Sequence, residues 1–534
     1  MKVSDLSLKE KILQTMIIRI TDHDFIPDKV GGVFFGGQII TEADNKGVDE
    51  ARKLITRYIE NADIPVLITS DFENGCGGMF KGLTPFPYLM SLGAANDEGL
   101  AYEYGKATAM EARSVGANWS LSPVSDLNLN PWNPLVGERS VGDNPEHVIP
   151  LLKQVVRGMQ ENGIAACAKH FPGDGVDWRD QHRITTSNSL TWEQWKAMHG
   201  KVFQELIDDG VYSIMAGHIS LPAYQEERFE GKFALPATLS YELITKLLKE
   251  EMGFEGVVVT DALGMGGIVG YYESDVEMLI ESFKAGCDMM LWPQEGYLEG
   301  MMKAVESGYI SMERLDDAVS RILKMKEKLG LFVQDNMPKL LSEEEKAYVE
   351  DVNKRVAEKS MTLLRDEVHN FPINPEKDKK IAIVPITHYE PAYKQAELLR
   401  DEFAKRGFEV DYYPHYSLIF AKTRQEQCRV MDSYDRIIYA LFSRVFRPSG
   451  PEDFVGEECH KIQRSLSHAV DKSVIVSFGS PYFMDEYFER ARTCVNAYSF
   501  WPSSVEAFVK AATGEIEFSE FSPVKLEHPI WELK

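Results

Sequence analysis

The chain reads as an α/β protein in which a (β/α)8 TIM-like barrel is followed by a smaller three-layer α/β/α sandwich domain. Three observations predict this. At 534 residues it is too long for one ordinary core. Its first two thirds alternate short, continuously apolar β-type runs with longer helical patterns. After residue 378 the same alternation restarts on a smaller scale. The expected layout is therefore a barrel over 1–339, a helical linker over 340–378 and a sandwich over 379–534.

Seven runs in the first part read as buried strands: Gly31–Gly37, Pro65–Asp71, Asn118–Val124, Ile164–Phe171, Val211–Ile219, Gly256–Ala262 and Asp288–Pro293. Apolar runs without alternation indicate a parallel sheet covered on both faces. An eighth strand is needed to close a barrel. It is expected between Ile268 and Ser282, where helix and strand signals blur. "LLSEEEKAYVEDVNKRVAEKSMTLLRDEVHNFPINPEKDK" then reads as a charged amphipathic helix and a polar, proline-bearing linker. Beyond it come the strand "KKIAIVPI", the helix "AYKQAELLRDEFAKRG", and strands at "EVDYYPH", "DRIIYALFS" and "SVIVSFGSP". That order suits a small three-layer sandwich.

Composition narrows function. A formal net charge of −25 repels nucleic acid and anionic membranes alike. The N-terminus lacks the basic-then-apolar order of a secretion signal, and no apolar run approaches the roughly 20 residues that cross a bilayer. Cys76, Cys167, Cys287, Cys428, Cys459 and Cys494 are scattered without CxxC spacing, so reduced thiols and a cytoplasmic location are expected. No GxGxxG or GxxxxGK[ST] follows a strand, and no cofactor is expected.

The C-terminal tips of the runs carry the chemistry. Asp71, Asp126, Lys169–His170, His218 and Asp261 each fall at or just past a strand end, the face on which barrels of this kind build active sites from several strands at once. Polar residues at one or two tips would only mark where strands meet water. Titratable groups at five make a stronger pattern. The stretch "KHFPGDGVDWRDQH", Lys169–His182, concentrates two histidines and three aspartates after a Gly/Pro turn. It reads as a metal site, a proton-transfer device or a solvated loop. Asp180, two residues before His182, is spaced to accept a hydrogen bond from one imidazole nitrogen and so orient the other. "VVVTDALGM" presents Asp261 after four β-formers, where a carboxylate either attacks an anomeric carbon or caps the following helix.

"KHFPGDGVDWRDQH" resembles the KHFPGHG…DSH loop of glycoside hydrolase family 3, in its bacterial β-N-acetylglucosaminidase branch. "TSDFENGCGG" is similar to that family's DQEGG region, "LTPFPYLMSLGAAND" to its TPFP stretch, "NWSLSPVSDLNLNPWNPLVGERSVGDNP" to its APV-D-N-P…G-RSFG-DP segment, and "VVVTDALGM" to its nucleophile turn. These cover nearly all of Asp71 to Met265. "VAEKSMTLLRDE" and "SPVKL" also look like two-domain members. The resemblance implies Asp261 as nucleophile, and His182 with Asp180 as general acid and base. It further implies Asp71, Arg139, Lys169, His170 and Met265 around the sugar. The chain departs from the pattern at Asp174, where the family has a histidine, at Asn74 and Cys76, and at "GGMFKG", which lacks the arginine expected there.

The implied activity is exo-acting, retaining release of terminal N-acetylglucosamine through a glycosyl-aspartate. A neutral histidine does not repel an incoming anion, so inorganic phosphate is an alternative acceptor, which would make the chain a phosphorylase. A metal-dependent barrel hydrolase would use His170, Asp174, Asp177, His182 and His218, but neither HxH at a first strand tip nor HExxH is present, and no metal is expected. A non-catalytic sugar-binding module is the remaining alternative. The partner expected is a small carbohydrate. The second domain is expected to be structural, beside the cleft or supporting a homodimer, with Ser443–Gly450 its most site-like loop.

Overall fold

The computed structural model describes residues 1–20, 30–35, 47–333, 336–414, 423–443 and 457–526. It divides into two compact units. The first comprises residues 1–85, 101–136 and 144–350, and the second residues 86–100, 137–143 and 351–534.

The first unit is built on parallel strands: β1 Met16–Arg19, β2 Gly32–Phe34, β3 Leu67–Ser70, β4 Trp119–Ser120, β5 Cys167–Phe171, β6 Ser213–Ala216, β7 Val257–Thr260 and β8 Met290–Leu291. One sheet runs β8-β1-β2-β3-β4 and another β5-β6-β7. Parallel bridges Trp119↔Ala165 and Val259↔Met289 join them at both edges, so the pairings form an unbroken circuit of eight strands. Ile17, Leu67, Trp119, Cys167, Met215, Val257, Val259 and Leu291 share one buried cluster within it. Each such aliphatic side chain removed from water stabilises the fold by about 1.5–3 kcal/mol.

The eighth strand is not where the sequence suggested. Residues Asp275–Ala285 form a helix, capped by the Ser274 hydroxyl accepting from Glu277 N–H. The additional strand is instead β1, at the N-terminus. It follows helix α1 Leu8–Gln14 after a single residue, Thr15. With no glycine or proline between them, "MIIR" reads as a continuation of the apolar face of α1.

The second unit holds β9 Thr362–Asp366, β10 Lys380–Ile386, β11 Glu409–Tyr412, β12 Arg436–Phe442, β13 Ser473–Phe478 and β14 Thr493–Asn496. They form one sheet in the order β9-β14-β13-β12-β10-β11, parallel except for the antiparallel β9–β14 pair. Its side chains alternate between two cores. Ile381, Ile383, Ile438, Val474 and Val476 meet Leu399, Phe403, Val505 and Phe508 on one face. Ala382, Val384, Ile437, Tyr439 and Ile475 meet Met431, Ile462 and Leu466 on the other. The stretch read as a linker holds the helix Glu343–Ser360 and also supplies β9 to this sheet. The Ser443–Gly450 loop lies, past Ser443, outside the described residues.

Candidate active site

Because the strands of the first unit are parallel, their C-terminal ends fall on one side of the circuit. Lys169 and His170 lie on β5 before its last residue. Asp71 directly follows β3, Asp261 directly follows β7, and His218 follows β6 by two positions. Asp126 arrives from the segment after β4, whose Val124 forms a parallel bridge with Lys169.

Lys169 is 2% exposed at its side chain and would be too costly to bury uncompensated. Its Nζ lies 2.9 Å from Asp71 Oδ1 and 2.6 Å from Glu73 Oε1. Asp71 remains 29% exposed, so the lysine anchors a carboxylate that still faces solvent. His170 points the other way. Its Nδ1 donates to Asp126 Oδ2 at 2.7 Å, while its backbone N–H and that of Asp174 donate to Asp126 Oδ1 at 3.0 and 2.7 Å. Burial opposes ionisation of Asp126. The His170 imidazole and these hydrogen bonds outweigh it and keep the carboxyl below its ordinary range.

The other ring nitrogen of His170, Nε2, stands 3.9 Å from Asp261 Oδ2. Asp261 Oδ1 accepts from Ala262 N–H at 2.7 Å, and its backbone N–H donates to the Ala216 carbonyl at 2.9 Å, which fixes the residue against β6. Burial disfavours its charge, but the imidazoles of His170, His218 and His182 together hold its carboxyl well below the usual carboxylate range. An ionised carboxylate with the His170 imidazole 3.9 Å away is suited to act as a nucleophile. His218 is fully buried. Its Nε2 donates to the Ala262 carbonyl at 3.0 Å and its Nδ1 lies 2.9 Å from Thr238 Oγ1. Burial pushes its pKa down.

The loop after β5 brings His182 to the same place. Asp180 Oδ1 accepts from both the His182 backbone N–H and Nδ1, each at 2.8 Å, which leaves Nε2 as the working nitrogen. Asp180 is 3% exposed at its side chain and His182 19%, so the carboxylate is sheltered and the imidazole reachable. Gly266 N–H donates to the His182 carbonyl at 2.8 Å, tying the loop to the turn that bears Asp261. Further back, Asp177 clamps Arg179 with Nε at 3.0 Å and Nη2 at 2.6 Å, while Trp178 stands 66% exposed.

Asp261, His182, Asp180, Asp71, Lys169 and His170 are thus linked within the first unit by direct contacts or by the charges that act on Asp261. Met265 is buried in the Asp261 turn, its N–H donating to the Ala262 carbonyl at 3.1 Å. Arg139, 4% exposed, ends the 3-10 turn Gly137–Arg139 and belongs to the second unit. Sequence reasoning gave no role to Glu73 or Gln181 and saw in Asp126 only a polar strand end. For Asp126 the signal was its place after β4. Glu73 carried none beyond lying two residues past Asp71. Among the described residues no group of three or more His, Cys, Asp or Glu is arranged to hold a metal ion. His170, Asp177, His182 and His218 are each engaged by the partners above.

Comparison with known proteins gives the family. Over 535 aligned residues the chain is 29% identical to a β-N-acetylglucosaminidase/β-glucosidase of Cellulomonas fimi, covering 95% of this chain and 92% of that one. A solved β-glucoside phosphorylase, BglX bound to 2FGlc, is 28% identical with a TM-score of 0.86, covering 98% of this chain and 95% of the other. A family 3 β-N-acetylglucosaminidase from Paenibacillus sp. str. FPU-7 is 28% identical with a TM-score of 0.81, covering 98% and 100%. Residues 7–325 match the glycosyl hydrolase family 3 N terminal domain, and the chain belongs to that family.

Proposed function

We propose that this chain is a retaining, exo-acting β-N-acetylglucosaminidase, built as a (β/α)8 barrel with a three-layer sandwich domain behind it in sequence. The observation that carries the reading is the pairing of Asp261, held ionised beside His170, with a carboxylate-oriented His182. The unbroken circuit of eight parallel strands supports the barrel. The Cellulomonas and Paenibacillus relatives support the sugar.

In the first step Asp261 Oδ2 attacks the anomeric carbon. The bond to the glycosidic oxygen breaks, and that oxygen keeps the electron pair and takes a proton from His182 Nε2. The product is a glycosyl ester on Asp261. In the second step His182 Nε2 removes a proton from water, the hydroxide oxygen bonds to the anomeric carbon, and the ester opens to regenerate the carboxylate. Two inversions leave the β configuration retained. Asp180 holds the imidazole in one tautomer throughout. Asp71, His170, Lys169 and Met265 are proposed to position the sugar, with Asp71 offering its exposed edge to a hydroxyl pair.

The test is a leaving-group comparison. Asp261→Ala is expected to abolish turnover of every β-N-acetylglucosaminide. On kcat/KM, which reports the first step, His182→Ala is expected to spare a dinitrophenyl glycoside and lose alkyl glycosides by about 10²-fold or more, since a good leaving group needs little protonation. Equal losses on both substrates would remove His182 from the acid role. The likeness to a β-glucoside phosphorylase supports a second reading, in which phosphate replaces water in the second step and the product is a sugar 1-phosphate.

A further inference from the structure

Gln181 sits between Asp180 and His182 and is fully buried, although it lies on a loop. Its polar groups reach three different segments. Oε1 accepts from His218 N–H at 2.8 Å, Nε2 donates to Asp174 Oδ2 at 3.3 Å, and the backbone carbonyl accepts from Gly267 N–H at 3.0 Å. His218 in turn donates from Nε2 to the carbonyl of Ala262, the residue next to Asp261, at 3.0 Å. The approach is close. A Cβ on Gly267 would stand 2.5 Å from the Gln181 carbonyl oxygen and 2.8 Å from His218 Cβ. The Asp180 carboxylate orients the His182 ring relative to its own backbone. Fixing that backbone against the strands takes further contacts.

We propose that Gln181 contributes to that fixation through its side chain, as a positioning residue that braces the His182 loop on its own base at Asp174 and on His218 beyond β6, beside the Asp261 turn. This rests on His182 acting as the acid. The donor and acceptor roles are set. Asp174 Oδ1 is occupied by Gly175 N–H at 2.7 Å and Asn133 Nδ2 at 2.9 Å, so its Oδ2 receives the Gln181 amide. Gln181→Glu opposes two carboxylates and Asp174→Asn opposes two amides. Together they restore one hydrogen bond with donor and acceptor exchanged, while position 181 still accepts from His218 and position 174 from Gly175 and Asn133.

The experiment measures kcat and KM of the full chain on methyl and 2,4-dinitrophenyl β-N-acetylglucosaminides. The enzymes compared are wild type, both single variants, the double variant and His182→Ala. Each single variant is expected to lower kcat/KM on the methyl glycoside by about tenfold or more, with kcat/KM on the dinitrophenyl glycoside, which reports a first step needing no acid, little changed. The double variant is expected to recover most of the loss. Single variants indistinguishable from wild type, equal losses on both substrates, or additive losses in the double variant overturn the brace. If His182→Ala loses the methyl glycoside selectively while Gln181→Glu keeps it, the brace alone falls. If His182→Ala keeps it, the acid assignment falls and takes the brace with it.

Discussion

His170 faces two carboxylates, Asp126 at 2.7 Å from Nδ1 and Asp261 at 3.9 Å from Nε2. The first fixes the ring and the second feels its charge. Asp126→Asn keeps an oxygen for the two backbone N–H donors but turns an amide toward Nδ1, so the ring loses its anionic partner and its preferred tautomer. By analogy with partners that orient metal-bound or catalytic histidines, kcat/KM is expected to fall about 10–100-fold with the far-ultraviolet circular dichroism unchanged. The Asp261 carboxyl is held below the ordinary range, so it stays ionised as pH falls through that range. A fall in wild-type rate there must come from another group. The titratable tips Asp71, Lys169, His170 and Asp261 were legible because each ends an apolar run. Glu73 and Gln181 were not, nor were the pairings of Asp126 and Asp174, because donor–acceptor pairing through loops leaves no periodic trace.

At the scale of elements, the least legible strand also sits beside an unusual lysine. β1 is hidden behind α1, and the last residue of α1, Gln14, accepts from Lys326 Nζ at 2.5 Å on the helix Met312–Lys328. Lys326 is fully buried against a neutral amide, and burial lowers its pKa to about 7 from 10.5. The unfolded chain therefore binds more protons than the native one between about pH 7 and 10.5. The native state gains stability as pH rises through that window and carries the whole penalty below it. Lys326→Met removes a charge that needs solvation and keeps a flexible apolar stem. Its Tm is expected to exceed that of wild type at pH 6.5, with the difference shrinking at pH 9.5. A difference independent of pH would mean that the lysine is not the source. The main sheets were easier to read. β3, β6, β7 and β13 are buried at every position, and their apolar residues, broken only by serine and threonine, announce a two-sided environment. β14, only four residues of "TCVN", carries too little apolar length to stand out.

For the whole molecule, the choice between water and phosphate is electrostatic as well as chemical. A net charge of −25 lowers the local concentration of any anion. Near the nucleophile the lysine best placed to offset this, Lys169, is already shared between Asp71 and Glu73. Arg179 is likewise held by Asp177. An arriving phosphate would find imidazoles, which do not repel it, while Lys169 and Arg179 are already held by carboxylates and Arg183, beside His182, is exposed to solvent. Water meets no such barrier. Free N-acetylglucosamine is therefore the expected product, at a rate that phosphate in the tens of millimolar changes no more than chloride of equal ionic strength. If phosphate were the acceptor, sugar 1-phosphate would appear in proportion to phosphate and saturate. At fixed phosphate its formation would also rise with added chloride, because a Debye length of roughly 8 Å at physiological salt screens the long-range repulsion. Product analysis across that two-salt grid separates the two: a saturating sugar 1-phosphate signal assigns phosphorolysis, and its absence at every phosphate concentration assigns hydrolysis.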